Sequence, residues 1–320
     1  MPGSHDMLPL ALLFGLCLTT GTWRYPLAAC LTVPCPPPHR TLPRVVSHLP
    51  RVAPSWCSGL VDASAGTTDT TASGRLTERD IAGLLFVADM YAVQLDQLAA
   101  ALAVTQARAR TVALGWRRAG YAESARIGPG LPWCWLTRPG LSVCGLSYRA
   151  ASPALSRLAH LRAVTAVRLA LEAAPGYAAA GAFWRGERRL RARAGGRVGL
   201  REHIPDAEVH WPDGAPVGFA GECWAIEAEL TPKTVARTAG IMREILARTG
   251  DYGCPAGQAQ VPGAPSRHAR VVYLCSAAAR PAVARARATL AGAAGRVEIR
   301  GLPPGADMGG PPGRAVGRAR

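Results

Sequence analysis

The sequence contains no asparagine and one lysine, Lys233, so 36 of its 37 Lys and Arg residues are arginine. That bias fits a GC-rich coding sequence, in which lysine and asparagine codons are scarce. None of the nine cysteines forms a CxxC pair, which excludes a zinc ribbon and a thioredoxin-like centre. No glycine-rich run is followed by a lysine, so there is no Walker phosphate loop. The absence of an HxH pair leaves a histidine-cluster relaxase unsupported, and the absence of GxSxG removes the nucleophile elbow. The apolar stretch from Leu8 to Leu18 is too short to span a bilayer. It resembles a signal-peptide core, and Leu27–Cys30 a lipoprotein box, but the leader MPGSHD carries no Lys or Arg. The expectation is a dispensable or mis-assigned N-terminal extension on a cytoplasmic protein with no stable membrane association. Cys223 and Cys275 lie in apolar runs and read as buried thiols of a reducing compartment.

What the sequence does have is charge. A formal net charge of +16, carried by arginine, points to a polyanionic partner, double-stranded DNA first. Residues 1–75 are rich in Pro, Thr, Ser and Gly and read as an unstructured arm; residues 301–320 read the same way. Between them the pattern divides at about residue 150.

In 76–150, Thr77 caps LTERDIAGLLFVADM, VQLDQLAAALA gives a second helix, and Thr105 caps a third that ends near Gly120. Two short extended runs follow, Tyr121–Ile127 and Trp133–Leu136, joined by a Gly-Pro turn. Three helices and a hairpin form a winged helix-turn-helix. On its third helix Arg108, Arg110, Thr111, Arg117 and Arg118 offer polar reach to phosphate and base edges, while Val112, Leu114 and Trp116 are read as core. The competing reading is a protein-binding unit with a solvated basic face.

In 151–300, an amphipathic helix of about 20 residues starts near Ser156 and carries His160, read as structural. GAFWRGERRLRARAGGRVGL then reads as strand and turn. Its clustered arginines, 185, 188, 189, 191, 193 and 197, suggest a phosphate-contacting surface in which Arg188 and Arg189 take part. HIPDAEVHW and ECWAIEAEL read as strands, and a helix begins after Thr231 with Pro232 at its first position. ARVVYLCS, PAVARARATLAGA and RVEIRGL complete a strand, a helix and a last strand. The expected class is α+β or α/β around one central mixed sheet.

Glu227 and Glu229, two apart on a strand, share a face. If the preceding strand pairs with theirs, Asp206 approaches Glu227. Converging carboxylates repel unless a hard cation such as Mg2+ neutralises them, and such an ion can activate water. Lys233 adds a compact positive charge that arginine does not match. On the residues alone, these acids are either a metal-type site or the solvated face of an edge strand.

PD, then ExE with a following lysine, in helix-strand-strand-strand-helix-strand order, resembles the PD-(D/E)XK nuclease superfamily. The resemblance implies Asp206 and Glu227 as ligands of Mg2+, and Asp206, Glu227, Glu229 and Lys233 as the catalytic set. The lysine departs from the family pattern, since Glu229 occupies its usual position two residues after the second acid. LTERD, WLTRPG, HLRAV, HIPDAEVHWPDG and WAIEAELTPK together resemble the actinobacterial replication-relaxation family over about residues 76–290. That implies roles in plasmid replication or DNA relaxation, replication proteins among the partners, and either a Mg-dependent nicking endonuclease or a non-catalytic factor with a degenerate nuclease-like domain.

Overall fold

The computed structural model describes residues 76–194, 202–215, 219–250, 252 and 265–307. The N-terminal arm, Arg197 and the tail beyond residue 307 lie outside the described residues.

α1 (Glu78–Asp89) starts where expected: the Thr77 hydroxyl accepts from the Asp80 amide at 3.2 Å, and the Asp80 carboxylate accepts from the Thr77 amide at 3.0 Å. The other Asp80 oxygen takes the Trp116 indole N–H at 2.9 Å, tying the start of α1 to α3. β1 (Val93–Gln94) leads into α2 (Leu95–Ala101), and Thr105 caps α3 (Gln106–Arg118). Gly120, at φ 76°, turns the chain into β2 (Ala122–Ala125), which pairs antiparallel with β3 (Trp133–Leu136). β1 pairs with the other side of β3, so the small sheet has the order β1-β3-β2.

The core face of α3 is Ala109, Ala113 and Trp116, at helical spacing. This corrects the expected set, because Leu114 is 39% exposed and Val112 only half-buried. A helix not foreseen, α4 (Arg138–Val143), starts at the Thr137 cap and packs so tightly that a Cβ on Gly140 would lie 1.9 Å from the Tyr121 carbonyl oxygen.

α5 (Leu158–Glu172) and the short α6 (Pro175–Ala179) precede β4 (Phe183–Gly186). The arginine-rich segment after β4 is a helix, α7 (Glu187–Arg193), where strand and turn were expected. β5 (Ala207–His210), β6 (Cys223–Glu229), α8 (Val235–Ala247), β7 (Arg270–Cys275), α9 (Arg280–Ala288) and β8 (Val297–Gly301) follow. α8 is capped by Thr234, whose hydroxyl accepts from the Arg237 amide, so Pro232 sits in the loop before the helix.

The five strands form one mixed sheet in the order β4-β5-β6-β7-β8. β4, β5 and β6 are antiparallel, while β6, β7 and β8 run parallel. Alternation on β6 sends Trp224, Ile226 and Ala228 toward α5, packed with Val164 and Val167. Ala225 faces α8 and α9, packed with Met242, Ile245 and Val283. The apolar cluster on the α5 side runs on without a break into α1, α2 and α3, across the expected boundary near residue 150. The stretch after Gly301, expected to be unstructured, begins ordered: Ala306 is buried and the Asp307 carbonyl accepts from Arg162 Nε at 2.5 Å. Among the described residues, no helix is long and apolar enough to cross a membrane.

Candidate functional site

The register Ala207↔Ile226 puts Asp206, just before β5, opposite Glu227 on β6. Asp206 is oriented by two bonds: Oδ2 accepts from the Ala228 amide at 2.8 Å, and Oδ1 lies 2.8 Å from His160 Nε2 on α5. It also lines a small cleft together with Tyr91, Arg157, His160 and Glu187.

Glu227 is 5% exposed, and its Oε1 lies 2.6 Å from His203 Nε2. Burial pushes its carboxyl up to about 6; the His203 bond and the Lys233 charge oppose the rise, and the Asp206 charge adds to it. Burial alone would lower His203, but the bond to Glu227 and that residue's charge outweigh it, and the net direction is up. His160 is raised for the same reason by Asp206. Glu229, on the same face of β6, accepts from Lys233 Nζ at 2.5 Å, so the single lysine neutralises the second glutamate. The Tyr273 hydroxyl, 1% exposed across from Glu227 in the β6–β7 register, has no hydrogen-bond partner among the described residues. Burial and then the charges of Glu227 and Glu229 hold its phenol well above the ordinary value.

The four residues of the expected catalytic set therefore sit at one end of the second sheet, with Glu227 and Glu229 on one face of β6 and the Asp206 carboxylate turned to His160 on α5. They form two carboxylate–imidazole pairs and one ammonium–carboxylate pair, not a closed cage. His203 and His160 escaped sequence reasoning as partners of the acids; the one signal was His203 three residues ahead of Asp206.

A second acidic centre lies farther along the same face. Glu208, fully buried, accepts from Arg267 Nε at 2.6 Å, Arg267 Nη2 at 3.0 Å and Arg185 Nη1 at 3.3 Å. Its two oxygens also meet His268 Nε2 at 3.0 Å and His210 Nε2 at 2.8 Å. Among the described residues, the trio with metal-ligand donor atoms all within 4.8 Å of one another is Glu208, Cys223 and His268. The sequence signal was present but unread: Glu208 and His210 alternate onto one strand face, and His210 pairs in register with Cys223.

Of the expected DNA-contacting residues, Arg108, Arg110, Thr111, Arg117 and Arg118 are exposed on α3. The Thr111 hydroxyl donates to the Ala107 carbonyl at 3.1 Å, and Arg117 lies 3.7 Å from Glu123. Arg188 is a correction. It is buried, donates to the Ala88 and Arg149 carbonyls at 2.8 and 2.6 Å, and stacks on Tyr91 and Tyr148, so it locks α7 against the first sheet's helices. Arg189 is half-buried and paired with Asp89 at 3.3 Å. Their guanidiniums serve the protein interior, where an unpaired buried charge is costly. Cys223 and Cys275 are buried thiols, as expected. No family model matches the sequence, and no curated protein or solved structure matches the chain.

Proposed function

We propose that this chain is a double-stranded DNA-binding protein of the replication-relaxation type, whose second sheet carries a divalent-cation site at Asp206 and Glu227. Two features support the DNA reading. The order α1-β1-α2-α3-β2-β3 with an antiparallel β1-β3-β2 sheet supports the winged-helix reading. The outward face of its α3 presents Arg108, Arg110 and Arg118. The sequence α5, β4, β5, β6, α8, β7 around a mixed sheet, with α6 and α7 as added helices, supports a PD-(D/E)XK reading of the second sheet.

The observation that carries the cation site is the placement of Asp206 opposite Glu227, with Glu227 raised to about 6 by burial and the facing carboxylate. Such a pair gains most from a hard dication such as Mg2+. Asp206 and Glu227 would hold the ion, which would polarise a phosphoryl oxygen or its attacking water. His160 and His203 keep the two carboxylates oriented, and Arg157 lines the same cleft as Asp206.

A second reading, a non-catalytic DNA-binding factor, is favoured by one specific observation: Lys233 is committed to Glu229 at 2.5 Å instead of facing the Asp206 side. Supercoiled plasmid incubated with the protein and Mg2+ decides between the two. Nicking lost in Asp206→Ala supports the enzyme; nicking that survives the substitution removes the site, and intact plasmid bound with the expected salt dependence leaves the non-catalytic factor.

A further inference from the structure

The Glu208 centre has a different donor set from the Asp206–Glu227 site. Cys223 Sγ lies 3.8 Å from His210 Nε2, and His210 Nε2 lies 2.8 Å from Glu208 Oε2. His268 Nε2 meets the other Glu208 oxygen at 3.0 Å. Glu208, Cys223 and His268 offer ligand atoms all within 4.8 Å of one another, and a small inward shift brings these to the edges of about 3.3–3.8 Å of a tetrahedron with bonds of about 2.0–2.3 Å.

The hydrogen bonds of His268 fix its tautomer. His268, fully buried, has Nδ1 3.2 Å from the Ile245 carbonyl, an acceptor that requires an N–H there. Its Nε2 then carries the lone pair, with Glu208 Oε1 at 3.0 Å and the Tyr252 hydroxyl at 3.3 Å. An imidazole that donates one ring N–H to a backbone carbonyl and turns the other nitrogen toward a carboxylate and a thiol has the second-shell arrangement of a metal ligand. Arg267 meanwhile holds Glu208 through Nε and Nη2, and Phe183 stacks on the His210 ring at 4.8 Å, fixing both orientations.

We infer that Glu208, Cys223 and His268 hold a zinc-class divalent cation, separate from the Asp206–Glu227 site, with the fourth position of the tetrahedron open to water. Thiolate and imidazole donors select zinc over magnesium. Burial keeps the Cys223 thiol protonated without a metal, so uptake releases that proton. The ion would clamp β5, β6 and the segment leading into β7 at the end of the sheet away from Lys233.

The test uses the full chain, stripped of metal and reloaded with Zn2+ or Co2+. X-ray absorption of the zinc form should show one sulfur and three nitrogen or oxygen ligands, with imidazole scattering. The cobalt form should show a near-ultraviolet thiolate charge-transfer band that persists in Cys275→Ser and disappears in Cys223→Ser. A first shell without sulfur, a band surviving in Cys223→Ser, or failure of the wild type to retain either ion overturns the assignment. If Cys223→Ser does not fold, the wild-type absorption spectrum decides alone. None of these readouts depends on DNA binding or cleavage.

Discussion

Glu208 and Glu227 lie on neighbouring strands, face the same side of one sheet and are both buried, yet their carboxyl groups are driven in opposite directions. Burial raises both. At Glu208 the hydrogen bonds from His210, His268 and Arg267 overwhelm it, and the group is held well below the usual carboxylate range. At Glu227 one imidazole opposes burial while Asp206 reinforces it, and the group rises to about 6. Donor count and neighbouring charge, not depth, decide the ionisation of a buried acid. The functional consequence follows. The Asp206–Glu227 end has hard oxygen donors short of positive charge and suits a cation that adds charge; the Glu208 end already has its charge and suits a soft cation that exchanges with protons.

The largest expected effect comes from breaking the saturated member of the pair. Glu208→Gln leaves Arg267 and Arg185 facing a neutral amide and should cost about 3–5 kcal/mol in denaturant unfolding at neutral pH. Glu227→Gln, which removes a buried charge facing Asp206, should cost less than about 1 kcal/mol. Equal losses from the two would erase the distinction.

Next in size is the contrast between outward and inward arginines. Arg110→Ala and Arg118→Ala should each weaken duplex binding, seen by fluorescence anisotropy, and reduce the slope of log affinity against log salt by about 0.9 per lost phosphate contact. Arg188→Ala should leave that slope unchanged and lower thermal stability instead, because its guanidinium is spent on the Ala88 and Arg149 carbonyls.

A smaller effect concerns pH. His203 is raised above its ordinary 6.5, so its contribution is fully present below that value and is lost as pH rises through the higher folded value. Glu227 is raised from 4.5 to about 6, so the fold favours its protonated form and loses stability as the group ionises across that interval. Both make the fold less stable as pH rises from about 4.5 to above 6.5. Glu208 works in the opposite sense: its contribution is present above 4.5 and is lost only as strong acid protonates it. The slope of unfolding free energy between pH 5 and 7 should flatten in Glu227→Gln; an unchanged slope would assign it elsewhere.

Much of the fold was legible because caps and periodicity are local. Thr77 and Thr105 set the helix starts as read, and the alternation of WAIEAE gave the two faces of β6. α7 was missed because a run of arginines hides its phase; Arg188 and Leu190 turn inward while their neighbours do not. α4 was missed because Arg138-Pro139-Gly140 reads as a turn, although a Thr137 cap with Pro just inside is a helix start. The helix expected to begin after Thr231 starts three residues later, at the Thr234 cap. At the site, strand spacing put Glu227 beside Glu229, and the register brought in Asp206. The imidazoles stayed hidden, because His160 comes from a helix 46 positions away and His268 is 60 positions from Glu208. Such pairings depend on tertiary approach, which no local pattern encodes.

The most direct test of the Asp206–Glu227 cation site is Mn2+ titration, with Mn2+ standing in for Mg2+ and the free ion followed by electron paramagnetic resonance. The account predicts about one bound ion in the wild type and in Cys223→Ser, and none at this site in Asp206→Ala. Undiminished binding in Asp206→Ala, or no binding by the wild type, would contradict it.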